Sequence, residues 1–84
     1  MSFLNLLFTR NGQNIFVHAK SDQMFIEVAN SYCSKAALTS PEEVKFLFNN
    51  EELKINSPKT LAELRIKDGS KIDVVNIANV IGAS

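Results

Sequence analysis

Polar and apolar residues alternate from the third position of the chain. In FLNLLF (residues 3–8), Leu4, Leu6 and Phe8 fall at period two, with Phe3, Asn5 and Leu7 on the other side. This is the pattern of a strand with one buried face. IFVHAK (15–20) repeats it, setting Ile15, Val17 and Ala19 against Phe16, His18 and Lys20. Asn11-Gly12 lies between them, the dipeptide best suited to the positive φ angles of a tight turn. The two strands are expected to form a hairpin.

The period then lengthens. Phe25, Val28, Ala29, Tyr32 and Ala36 recur at spacings of three and four, which predicts an amphipathic helix over 24–37. Ser21-Asp22 supplies N-cap candidates, and Thr39-Ser40-Pro41 is expected to stop the helix. VKFLF (44–48) returns to alternation, with Val44, Phe46 and Phe48 opposed to Lys45 and Leu47. Asn49-Asn50 turns the chain into a short strand at ELKI (52–55). After Pro58, TLAELRI (60–66) offers Leu61, Leu64 and Ile66 to a core over about one helical turn, too short to stand alone. Lys67-Asp68-Gly69 leads into the last strand, SKIDVVNI (70–77), with Ile72 and Val74 inward and Asp73 and Val75 outward.

The order is strand, strand, helix, strand, strand, short helix, strand, with no repeat, linker or low-complexity segment. One helix can cover one face of a sheet, and right-handed crossovers make the first and last strands natural parallel neighbours at its centre. A chain of 84 residues with 45% hydrophobic residues makes one domain with its own core.

Charge and chemistry narrow the function. Nine basic residues balance nine acidic ones, so there is no broad cationic field to hold nucleic acid. Cys33 is the lone cysteine and His18 the lone histidine. That excludes an internal disulfide and leaves neither a zinc set nor a nucleophile, base and orienting-acid set. Cys33 falls on or beside the buried face of the helix and reads as a small core hydrophobe. No enzyme activity, metal or cofactor is expected. No apolar run reaches the roughly 20 residues of a membrane span, and the first residues lack the features of an export signal. The cytosol or nucleus is the expected location.

Two stretches resemble ubiquitin-like proteins. TLAELRIKDGSKIDVV (60–75) is similar to the ubiquitin pattern of Thr-Leu, an acidic residue, leucine and isoleucine, then serine before an alternating aliphatic strand. KFLFNNEEL (45–53) resembles the basic, aliphatic and phenylalanine strand, turn and leucine of the same family. SYC (31–33) followed by KFLF resembles the SUMO branch, and KINSPKTL (54–61) with KDGSKIDVV (67–75) resembles the ubiquitin-fold modifier branch. The resemblance implies an α+β fold of the β-grasp type, a mixed sheet wrapped over one helix. Residues 1–78 would form the domain and 79–84 a flexible tail.

The resemblance also implies how such a chain works. Modifiers of this superfamily are activated at a terminal glycine, whose lack of a side chain suits the narrow channels of activating enzymes. The chain has no Gly-Gly pair, which disfavours a sulfur carrier. VIGAS (80–84) is similar to the ubiquitin-fold modifiers, which mature to a single glycine by loss of two residues, and this marks Gly82 as the candidate conjugation residue. Its partners would be a processing protease, activating and conjugating enzymes, and receptors for ubiquitin-like proteins. The alternative is a non-conjugated interaction domain of a longer protein. By the same resemblance Leu47, with Lys45 and Val75 beside it, occupies the place of ubiquitin's recognition patch, although Asp73 replaces the histidine found there. Phe16, His18 and Lys20, with Lys35 on the helix, would line the groove where SUMO accepts an extended peptide. Phe3 and Leu7, joined by Phe16, form a further outward apolar group suited to a dimer or a neighbouring domain. The acidic pairs Glu42-Glu43 and Glu51-Glu52 read as solvated loop residues, and the chain is expected to be a monomer.

Overall fold

A computed structural model describes residues 3–77. Its elements are β1 (Phe3–Arg10), β2 (Gln13–Lys20), α1 (Phe25–Ala36), a 3-10 turn (Pro41–Glu43), β3 (Val44–Phe48), β4 (Glu51–Leu53) and β5 (Lys71–Asn76). They build one five-stranded sheet in the order β2-β1-β5-β3-β4. β1 and β5 run parallel at its centre, and every other pair is antiparallel. The parallel pairing predicted from the crossover rule is present.

The two periodicities meet in one core. Leu4, Leu6, Phe8, Val17, Ala19, Val44, Phe46, Ile72 and Val74 line the inner face of the sheet, and Phe25, Val28, Ala29, Tyr32 and Cys33 come down from α1. Phe8 stacks on Tyr32 at 4.7 Å between ring centroids, while Phe46 stands edge-on to Phe25 at 5.2 Å and to Phe8 at 5.9 Å. These offset and edge-on geometries add about 0.5–1.5 kcal/mol per pair beyond burial.

The turns follow their sequence. Asn11 and Gly12 take φ of 52° and 81°, both left-handed, so the hairpin twists with its strands. Asn49 and Asn50 do the same between β3 and β4, at 54° and 67°. Residue type alone predicts both turns.

The helix matches the predicted segment to within a residue at each end, but neither end uses the residues expected to start or stop it. The helix starts after Met24, whose side chain makes no capping bond, instead of at Ser21-Asp22. Those two residues sit in a tight turn closed by Gln23, which donates its N–H to the Lys20 carbonyl and accepts the Lys20 N–H on Oε1 at 2.7 Å. The helix also ends before Thr39-Ser40-Pro41, because Ala37 turns left-handed at φ 59° and Leu38 donates its N–H to the Cys33 carbonyl. Pro41 instead opens the 3-10 turn. There Glu43 is no mere solvated loop residue: its carboxylate accepts the N–H groups of Thr39 and Ser40, both at 2.9 Å.

The predicted short helix at 60–66 is a single turn. Thr60 and Glu63 cap each other reciprocally, but Arg65 takes φ 63° and closes the segment at once. So few residues form too few internal bonds to propagate a helix. Leu61 and Ile66 nevertheless reach the core, and Leu64 packs at its margin. The expected tail, 79–84, lies outside the described residues.

Candidate protein-binding surfaces

Because Phe46 and Val74 point inward, their neighbours must point out. Lys45 and Val75 are register partners across β3 and β5, and Leu47 lies opposite Asp73 on β5 and Glu52 on β4. Val75 keeps 44% of its surface exposed, whereas Leu47 is half-buried. The structure thus brings Lys45, Leu47 and Val75 to one face. Leu47 is flanked by carboxylates from both sides, and Val75 by an ammonium. Glu52 is itself paired with Lys54 at 3.3 Å, an exposed pair of small energetic weight.

The second surface is the outer edge of β2, which among the described residues has β1 as its one sheet neighbour. Val17 and Ala19 are buried against the helix side, so Phe16, His18 and Lys20 turn their side chains to the opposite, outer face of the sheet. The expectation that these side chains line the groove beside α1 is corrected by that alternation: β2 meets the groove through its backbone. Lys35 reaches across from α1 and donates its Nζ to the Phe16 carbonyl at 3.0 Å. Lys20 has its N–H and carbonyl engaged by Gln23. Between these two engaged positions lies His18, whose backbone faces the same edge by antiparallel alternation.

Other candidates sort themselves by burial. Cys33 is buried, and its thiol is pushed above its ordinary range, first by burial and then by the Glu43 carboxylate, with Arg10 opposing. A thiol so placed is a poor nucleophile. Among the described residues no group of three His, Cys, Asp or Glu side chains is arranged to hold a metal ion. No described helix is long and apolar enough to cross a membrane. Gly82 lies outside the described residues. The Lys35 bond to Phe16 and the capping role of Glu43 were not legible in the sequence, since each links groups whose approach depends on the packed helix or turn.

A mixed five-stranded sheet with parallel central strands and one helix across its inner face defines a ubiquitin-like domain of the β-grasp class. The family described as Ubiquitin-2 like Rad60 SUMO-like matches residues 6–75, and the chain belongs to that family of SUMO-like domains. Among solved structures, a de novo design based on ubiquitin superposes with a TM-score of 0.78 at 22% identity, covering 90% of each chain. The N-terminal ubiquitin-like domain of the 4931431F19Rik protein gives 0.74 at 12% identity, over 88% of this chain and 74% of that one. At these identities the likeness concerns the fold. Comparison with curated protein sequences gave no match.

Proposed function

We propose that this ubiquitin-like domain works by being bound, with a receptor resting on the Lys45, Leu47 and Val75 face. The observation that carries the reading is the placement of Val75, 44% exposed and directly beside Lys45, on the same face as Leu47. A small apolar centre with charges at its rim suits a transient protein contact. The β2 edge is a second, narrower contact, where a partner strand would find the His18 backbone between the Phe16 carbonyl held by Lys35 and the Lys20 groups held by Gln23. No catalytic step is assigned to the chain; the cytosol or nucleus is its proposed location.

The same reading extends to attachment through Gly82, supported by the sequence Val80-Ile81-Gly82-Ala83-Ser84. A protease would hydrolyse the bond after Gly82. The freed carboxylate would react with ATP to an acyl adenylate with release of pyrophosphate, then pass to an enzyme thiol with release of AMP. A lysine amine of the target would finally displace the thiol. The alternative is a domain that stays within a longer protein, as the N-terminal domain of the 4931431F19Rik protein does in its own. Immunoblots of source cells under denaturing conditions distinguish them. Attachment requires high-mass adducts that disappear when Gly82 is deleted, and an unchanged pattern leaves the bound-module reading alone standing.

Leu47→Ala tests the recognition face. It is expected to weaken receptor binding at least tenfold while costing about 1 kcal/mol or less of stability, since Leu47 is half-buried and outside the core. Unchanged binding would remove Leu47 from the contact, and unfolding would show that it supports the core.

A further inference from the structure

The outer face of the β1–β2 hairpin carries two large exposed rings, Phe3 at 71% and Phe16 at 59% exposure. Cross-strand pairing orders this face in rows. Phe16 lies opposite Leu7, and Leu7 is in turn beside Lys71 on β5; Asn5 lies opposite His18; Phe3 lies opposite Lys20. The face therefore reads apolar, polar, apolar along the strands. Phe3 and Leu7, four positions apart on one strand, are separated by about 13 Å. Lys20 holds its ammonium 5.8 Å from the centre of the Phe3 ring, which gives that ring a preferred position.

This geometry selects among occupants. An extended segment laid on a sheet face would leave its own backbone unpaired, because the sheet's hydrogen bonds lie within its plane. A helix arrives with those bonds made, and residues two turns apart on it are separated by about 11 Å, near the spacing of the two apolar rows. Lysines stand at both ends, Lys20 beside Phe3 and Lys71 beside Leu7. The nearby Asp68 carboxylate is engaged by the Asn5 N–H at 2.8 Å, and Asp73 belongs to the next outward row, opposite Thr9. A second copy of the chain is disfavoured, since a two-fold contact through this face would set lysine against lysine. Three apolar side chains also fall short of the roughly 800 Å² per partner of a stable interface.

We propose that the outer face of the β1–β2 hairpin docks an amphipathic helix of another protein, with apolar side chains two turns apart and Asp or Glu flanking them. The contact uses none of the Lys45, Leu47 and Val75 side chains, so the two readings fail independently. The test is an NMR titration of the isotope-labelled protein with two synthetic helical peptides of identical leucine pattern, one flanked by glutamates and the other by lysines. The glutamate peptide is expected to shift the amides of Phe3, Leu7, Phe16 and Lys71 with a Kd below about 1 mM, and the lysine peptide to bind at least tenfold more weakly. Phe16→Ser should lower affinity at least tenfold with the rest of the spectrum unchanged; Lys71→Glu serves as a second variant should the first disturb the fold. Equal binding of both peptides, shifts centred on Leu47 and Val75, or no binding at millimolar peptide would overturn the proposal. So would concentration-dependent dimerisation that Phe16→Ser abolishes, which would assign the face to a second copy.

Discussion

Ala37 ends α1 at φ 59° with its side chain exposed, a conformation that costs an L residue roughly 1–2 kcal/mol because Cβ crowds the next carbonyl. Glycine escapes that cost but loses more entropy on folding. Ala37→Gly is therefore expected to stabilise the domain by about 0.5 kcal/mol, raising the thermal midpoint by about 2–4 °C; a lower midpoint would mean that the alanine methyl contributes packing. Cys33 supplies a second prediction. Burial raises its thiol pKa, so in the unfolded chain the thiol releases its proton at lower pH than in the folded one. Its contribution to stability is intact below the ordinary thiol range and declines as pH rises through that range toward the folded value. Urea unfolding at neutral and alkaline pH should show the decline, and Cys33→Ala should remove that part of it. The same burial predicts slow alkylation of Cys33 until the protein unfolds, checked by mass spectrometry with iodoacetamide.

At the scale of elements, the β1–β2 hairpin depends on its turn. Gly12 takes φ 81°, and a Cβ placed there would meet nothing within 4 Å. The cost of a side chain is then purely conformational. Gly12→Val is expected to destabilise by about 1–2 kcal/mol, measured by urea denaturation, with faster amide exchange in β1 and β2 than elsewhere. A loss spread evenly over the sheet would mean that the hairpin does not open as a unit. The β2 edge shows the opposite kind of control. A long free edge invites pairing with other chains, and lysines at such edges hinder it; here Lys35 occupies the Phe16 carbonyl and Lys20 lies at the strand's end.

For the whole molecule, the decisive feature is that the first and last described strands are central neighbours. β1 pairs with β5 through Leu7, Phe8 and Thr9, so the sheet closes only when the chain as far as β5 is present. Ile72, fully buried on β5, couples both halves of the sheet to the helix. Ile72→Ala is expected to cost about 2–5 kcal/mol, a large share of the roughly 5–15 kcal/mol typical of a domain. Unfolding followed by far-ultraviolet circular dichroism and by Tyr32 fluorescence should give coincident transitions in the parent protein. Separate transitions would contradict a single core shared by sheet and helix.

Period and residue type determined much of this protein. Alternation fixed which sides of Leu4, Leu6, Phe8, Ile72 and Val74 are buried, the three-and-four spacing fixed the inner stripe of α1, and Asn11-Gly12 fixed a hairpin. These are local consequences of side-chain direction and backbone sterics, so they are legible wherever the pattern is regular. Tertiary structure decided what depends on distant partners. Met24 begins the helix because the chain first closes a turn on Gln23 and bridges to Thr60. Arg65 ends the turn after Thr60 before it can lengthen into a helix. Alternation already turns Phe16, His18 and Lys20 outward, but only the packed helix shows that the groove beside α1 is met by the β2 backbone and not by these side chains. Lys35 meets Phe16 across 19 positions of sequence, a separation no local pattern encodes, since it arises only when the helix is packed on the sheet.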